Sequence, residues 1–292
     1  MYPSRFRYEA PRTVDEAIGL LAGDVEAKVL AGGQSLVPLL KLRFAAPDLL
    51  VDINGISELS YHRADPDGTL HVGALARHAE LERWAELASL QPVMAAAVPL
   101  IADPIVRSRG TLVGSLCHAD PQGDWAVVVT ALGGYVVAQG PAGRREIPVT
   151  ALVTGPFQTT LRYDELAVEA VIPAPRHRAV GGFLKLERRV GDFATAGTAI
   201  ALELDGATIT RAGIGLTGVG SRTIDAADAA SALVGGTLDA ATVARAAELA
   251  AAAAEPSSDH RGTADYKRHI IHTFVTRILT RIADDQEQRA AA

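Results

Sequence analysis

Two stretches of this sequence set glycine beside small polar side chains, the combination that lets a backbone come close to a phosphate. In Val29-Leu30-Ala31-Gly32-Gly33-Gln34-Ser35-Leu36 the glycines directly follow an apolar run. Without Cβ atoms at 32 and 33, backbone N–H groups can point at an anion. In Thr111-Leu112-Val113-Gly114-Ser115 two hydroxyls bracket a glycine, and Asp120 and Asp124 follow as acceptors for sugar-type hydroxyls. Each stretch alone also reads as an ordinary turn: strand to helix in the first, and in the second a surface turn with Asp124 capping the next helix. Together they suit a pyrophosphate clamped between two loops, with a valine at Gly33 expected to block the approach. Neither stretch is G-x-G-x-x-G or G-x-x-x-x-G-K-[ST], so the Rossmann fingerprint and the Walker loop are both absent.

Other candidate chemistry is thin. His269 and His272 are spaced i, i+3 on a helix, but no third ligand accompanies them, and zinc takes three or four protein ligands. No metal site is therefore expected. Cys117-His118 reads as a small side chain within the second stretch rather than a thiol nucleophile. Ser-His-Asp catalysis has no elbow motif to support it. With Cys117 the only cysteine, an internal disulfide and an all-cysteine iron–sulfur site are excluded. A formal net charge of −6 and only short basic runs at 176–178 and 187–189 argue against nucleic acid. No apolar run approaches the ~20 residues of a membrane span. The first residues, MYPSRFRYEAPRTVDEA, carry charge and proline where a secretory signal is apolar, so a cytoplasmic location is expected.

The elements that must position these residues can be read from periodicity. Residues 5–30 predict strand, helix, strand, with Thr13 as N-cap and Glu16 three residues on in a capping-box pattern. A short helix over SLVPLLKLRF and a strand over LLVDING follow. Residues 69–75 alternate as a strand, and Leu81, Trp84, Leu87 and Leu90 share one helical spacing. PVMAAAVPLIA predicts a helix, residues 103–125 a long functional loop, and WAVVVTALGGYVVAQG helix then strand. Proline and glycine cluster at 171–182, which places a domain boundary there, in keeping with two domains for 292 residues. Three alternating stretches and then helices, from about Thr223, complete the chain. The alanine-rich 240–255 is read as plain helix.

The motifs AGGQSLVPLLKLR and RSRGTLVGSLCHADPQGDW together resemble the FAD-binding medium subunit of the molybdenum hydroxylases. This group comprises bacterial carbon monoxide dehydrogenases, xanthine dehydrogenases and N-heterocycle or aldehyde dehydrogenases. The resemblance covers nearly the whole chain, taking in the early F.Y..P.TVDEA, then DELAVEAVIPAP and FLKLERRVGDFATAG. It implies an α+β fold: a two-part FAD-binding domain of the vanillyl-alcohol-oxidase (para-cresol methylhydroxylase) type over 1–177, divided into 1–56 and 57–177. A smaller sheet-plus-helices domain of the carbon monoxide dehydrogenase flavoprotein type then covers 178–287. It places residues 29–36 and 111–115 on the FAD pyrophosphate and ribityl chain and Asp124 near the FAD hydroxyls. Ile101 and Leu166 would pack against rings, and Lys185 would lie close to the flavin. Related loops read T-I-G-G-N, whereas here Val113 replaces a glycine and Ser115 an asparagine, acceptable if residue 113 keeps φ negative. Phe193, flanked by Asp192 and Thr195, is read as a ring covering one face of the isoalloxazine rather than as a core anchor.

The same resemblance implies FAD held without a covalent bond, and a molybdenum cofactor and [2Fe–2S] clusters only in partner subunits. The partners would be a large molybdenum-cofactor subunit and a small [2Fe–2S] subunit, in a dimer of heterotrimers. Electrons would pass from the clusters through FAD to NAD, a quinone or another acceptor, with no side chain of this chain acting as acid or base. Two further readings are a stand-alone FAD oxidoreductase of the same superfamily and a non-catalytic nucleotide-binding regulatory module. The first needs an acid and a base of its own, which the sequence does not reveal.

Overall fold

The computed structural model describes residues 2–291. Thr13 begins the first helix as expected, its side chain accepting from the Glu16 amide at 3.2 Å. The Glu16 carboxylate instead accepts from the amide of Arg12, at 2.7 Å, so the reciprocal half of the capping box reaches one residue further back. This helix, α1 (Val14–Ala22), joins β1 (Arg7–Glu9) to β2 (Lys28–Leu30). After α2 (Leu36–Leu42), β3 (Leu49–Asp52) runs between those strands and parallel to both. The first glycine stretch is thus the connection from β2 to α2.

A second, antiparallel sheet begins with β4 (His62–Ala64) and β5 (Leu70–Gly73). The helical spacing from Leu81 to Leu90 is interrupted: α3 (His78–Glu82) and α4 (Leu87–Leu90) are separate helices. Trp84, in the break, lies against His62 with ring centroids 4.8 Å apart. Next comes α5 (Pro92–Ala97). The stretch expected as a long loop holds two short helices, α6 (Pro104–Arg107) and α7 (Leu112–His118). Asp103 caps α6 by accepting from Val106 N at 2.8 Å. Leu112, Val113 and Leu116 of α7 are buried, so tertiary packing makes helix of a stretch whose composition reads as loop. α8 (Asp124–Leu132) has all nine residues buried. β6 (Tyr135–Gly140) and β7 (Gly143–Pro148) follow, then α9 (Val149–Leu152) and the small hairpin of β8 (Val153–Gly155) and β9 (Gln158–Thr159). β10 (Leu166–Ile172) completes the sheet order β4-β5-β10-β6-β7, and α7 packs on it.

A third sheet is an antiparallel meander of β11 (Arg178–Leu186), β12 (Ala196–Asp205), β13 (Thr208–Thr217) and β14 (Ile224–Asp225). α10 (Ala227–Ser231) and α12 (Ala264–Ala291) pack on it, and α11 (Ala240–Ala253) packs against both of these helices. Alanine serves packing as well as propensity: Ala246, Ala247 and Ala250 of α11 are buried in the core shared with Ile271, Val275 and Leu279 of α12. The fold is α+β. Its first core runs from α1 to β10 and takes in Phe183, Ala199 and Ala201 of the third sheet. α8 joins the two parts, lying directly on the backbone of β13. A Cβ on Gly213 or Gly215 would collide with the carbonyl of Ala131 or Val127. Among the described residues, no helix is long and apolar enough to cross a membrane.

Candidate functional site

The first glycine stretch touches the residues that lead into the second. A Cβ on Gly32 would stand 2.5 Å from the Arg109 carbonyl oxygen and 2.8 Å from Gly110 Cα. Gly33 has a different duty. Its φ is +73°, and its Cβ would meet only the side chains of Leu30 and Val37, at 3.1 and 3.2 Å. Close approach is therefore needed at 32 and left-handed backbone at 33, roles that the sequence could not separate. Gly33, Gln34, Ser35 and Leu36 present amides with no hydrogen-bond acceptor among the described residues. Ser35 stands at the N-cap position of α2 without using its hydroxyl there. Val29 and Leu30 end β2, and Ala31 leads into the glycines. A cleft of about 520 Å³ opens beside this stretch, with Gly32, Gly33, Lys41, Asp52, Asn54 and Arg109 on its walls.

The second stretch is a helix start rather than a turn. Thr111 caps α7, its hydroxyl accepting from Gly114 N at 3.1 Å, and Ser115 lies one residue further along the helix. Val113 is helical, so its φ is negative and the side chain that replaces a glycine points into the core. Beneath Gly110 sits His78, which accepts from Trp125 Nε1 at 3.1 Å. Burial, with help from Arg107 and Arg77, pushes this imidazole down to about 4, so it is neutral at pH 7.

Further along, the chain brings together residues from both parts of the fold. Asp120 accepts from Gln122 N at 2.8 Å and shapes the turn into α8. Asp124 is the first residue of α8, with Gly123 as its cap, so it is not itself the cap. Its Oδ2 accepts from Lys185 Nζ at 2.9 Å, across 61 residues. The Lys185 side chain is 1 % exposed and also donates to Asp192 O at 3.0 Å. Glu187 Oε2 lies 3.2 Å from the same ammonium, off the hydrogen-bonding direction. Burial raises Asp124 to about 6 despite Lys185, while Glu187 and Asp120 push the same way as burial. Asp124 Oδ1 is buried and has no hydrogen-bond partner among the described residues.

Phe193 is not a core residue. It is 46 % exposed, next to Asp192, and Arg261 donates to its carbonyl at 2.8 Å. Gly191 brings this loop against Ala102, where a Cβ would stand 2.7 Å from the carbonyl oxygen. Ile101 is consequently near the Lys185 group, but its side chain belongs to the first core. Leu166, 2 % exposed, sits in β10 opposite Gln139, and its side chain is likewise committed to that core.

The two-part α+β fold, with its glycine-lined cleft, is that of an FAD-binding flavoprotein family. Residues 4–175 match the family described as the FAD binding domain in molybdopterin dehydrogenase. Residues 182–282 match the CO dehydrogenase flavoprotein C-terminal domain. The chain belongs to the FAD-binding medium-chain family of the molybdenum hydroxylases, which are oxidoreductases. It is 39 % identical over 280 residues to the carbon monoxide dehydrogenase medium chain of Hydrogenophaga pseudoflava, covering 96 % of this chain and 97 % of that one. It is also 39 % identical, over 283 residues, to the 6-hydroxypseudooxynicotine dehydrogenase complex subunit alpha of Paenarthrobacter nicotinovorans, covering 96 % and 95 %. The structure of the Hydrogenophaga pseudoflava enzyme lacking the Mo-pyranopterin moiety of its molybdenum cofactor superposes with a TM-score of 0.92 and 40 % identity. That match covers 96 % of this chain and 98 % of the other.

Sequence reasoning missed several residues of the site. Glu187 had a signal: it follows Lys185 by two, the spacing that shares one face of a strand. Arg77, Asn54 and Arg109 had none, because their partners lie 23 to 32 residues away in sequence.

Proposed function

We propose that this chain carries FAD as the electron-transfer subunit of a molybdenum-containing hydroxylase complex. The observation that carries the placement of the cofactor is the backbone contact of Gly32 with Arg109, which sets the first stretch and its cleft against the residues that lead into the second. The residues present fit the group. Unpartnered amides at 33–36 suit a pyrophosphate, and the lone Asp124 Oδ1 suits a donating hydroxyl. In this reading residues 29–36 and 111–115 hold the pyrophosphate and ribityl chain, with Asp120 and Asp124 on hydroxyls. Lys185 and Phe193 then stand at the ring end; Ile101 and Leu166 would meet the rings only from the core that their side chains already enter. Bound there, FAD supplies the redox chemistry, and the protein supplies position and electrostatics.

The complex would include a large molybdenum-cofactor subunit and a small [2Fe–2S] subunit, in a dimer of heterotrimers in the cytoplasm. Electrons from the small subunit would leave this chain to NAD, a quinone or another acceptor. Within the chain, 1–177 and 178–287 are the proposed domains.

FAD is held without a covalent bond. The nearby thiol is a poor nucleophile: burial pushes Cys117 up to about 12. Acid precipitation of the purified yellow protein should leave the flavin in the supernatant; colour in the pellet would overturn this. Phe193→Ala tests the ring end. Because the side chain is 46 % exposed, the change should cost roughly 0.5 kcal/mol or less. It should at the same time alter the flavin absorption spectrum. A large drop in Tm with an unchanged spectrum would return Phe193 to a packing role.

A further inference from the structure

The cleft walls are separate pieces of chain, and one side chain behind the cleft ties them together. Arg77 stands at the N-cap position of α3 and is half-buried. Its Nη1 donates to the carbonyl of Arg109 at 2.6 Å, the same carbonyl that Gly32 abuts. Its Nη2 donates to Asn54 Oδ1 at 2.6 Å. Asn54 Nδ2 in turn donates to the carbonyl of Ala31 at 2.8 Å and to Asp52 Oδ1 at 2.6 Å. Tyr8 fixes Asp52 from outside, its hydroxyl donating to Oδ2 at 2.5 Å. An unbroken chain of hydrogen bonds therefore runs from the second stretch to the first through Arg77 and Asn54. Backbone pairing seats Arg77 itself: it bridges Thr111, and His78 N donates to Gly110 O at 3.0 Å. Asn54 and Arg109 line the cleft, whereas Arg77 does not.

We propose that Arg77 is a positioning residue for FAD, a clip that acts through Asn54 to hold the two stretches at the spacing the pyrophosphate needs before the cofactor arrives. The inference rests on the placement of FAD between those stretches. The two terminal nitrogens of the guanidinium are used on protein acceptors, so the effect on FAD is one of geometry rather than of charge. Only a planar fork reaches both acceptors at once; a lysine ammonium on its flexible stem would keep one arm. Ordering a site in advance removes a cost that binding would otherwise carry.

The test titrates FAD into the full chain stripped of cofactor, following flavin fluorescence, with thermal melting in the absence of FAD alongside. Arg77→Ala and Arg77→Lys should each weaken FAD about tenfold, since each unties at least one of the two walls. Asn54→Ala should do the same, and the Arg77→Ala/Asn54→Ala double variant should be no worse than either single one, because both break one chain. The absorption spectrum of the flavin at saturation should not change. Parental affinity in Arg77→Lys would show that charge rather than the fork matters and would overturn the clip. Additive losses in the double variant would overturn it as well. Gly32→Ala separates the two levels. If it loses FAD while the Arg77 and Asn54 variants do not, the clip alone fails. If it too binds as the parent does, the placement of FAD fails.

Discussion

Gly32→Ala is expected to weaken FAD binding by about ten- to a hundredfold while leaving the rest of the fold in place. The added methyl would meet the Arg109 carbonyl oxygen at 2.5 Å, Gly110 Cα at 2.8 Å and the Arg109 carbonyl carbon at 3.0 Å. All three are backbone atoms, so no rotamer change relieves the overlap. Carbon contacts settle at about 3.5–4.0 Å, so the two stretches must separate by roughly 1 Å. Separation strains the hydrogen bonds behind them and widens the cleft that the pyrophosphate must bridge. Gly33→Ala should be milder, because its Cβ would meet only two side-chain methyl groups and the cost is the left-handed backbone, about 1–2 kcal/mol. Titration of the stripped chain with FAD measures both. Equal affinity in Gly32→Ala and the parent would mean that the contact is an ordinary turn.

Lys185→Met should be the most destabilising single change in the site. It removes the ammonium from between Asp124 and Glu187 and leaves a buried carboxylate unpaired, a change worth about 3–5 kcal/mol when no proton compensates. A loss of that size lowers Tm by roughly 5–10 °C. The loss should depend on pH. In the folded chain Asp124 titrates at about 6, against 3.8 as its ordinary value. Between those values the folded state holds a proton that the unfolded state has released, so this group's contribution to stability declines as pH rises through the window. Removing Lys185 raises the folded value further. The gap between variant and parent should therefore widen from pH 5 to pH 8. Adding Asp124→Asn to the variant should recover most of the loss at pH 8. A gap that is constant with pH would show that packing, not charge, accounts for the effect.

What could be read from the sequence was what depends on near neighbours. Thr13 and Glu16 announce a helix start three residues apart, and the bond from the Glu16 amide is there. Gly32-Gly33 behind an apolar strand marked the first wall of the cleft, and alternation marked β12 and β13, whereas the first alternating stretch, 183–190, overlaps β11 only over 183–186. The stretch 103–125 was misjudged for a physical reason. Its glycines, aspartates and prolines are loop formers locally, but Asp103 and Thr111 cap helices, and the apolar residues of the second, Leu112, Val113 and Leu116, find a core to enter. Likewise the spacing of Leu81 to Leu90 is helical, yet the helix breaks at 83–86, where Trp84 meets His62 in another strand. The pairing of Asp124 with Lys185, and the run from Arg109 through Arg77 and Asn54 to Ala31, exist only once the chain has folded. No local pattern encodes them.

A cluster of prolines and glycines between two units usually signals a hinge, and residues 171–182 have that composition. The course of α8 denies the chain this freedom. The helix has no solvent face, it begins with the carboxylate that meets Lys185, and it lies on strand backbone bared by Gly213 and Gly215. Swinging one half against the other would draw Val127 and Ala131 off that strand and pull a buried ion pair apart in the same motion. The seam thus behaves as a weld. Whatever partner docks on either half is registered mechanically to the other, and neither half could be traded for a foreign one without carrying its share of α8's bed along.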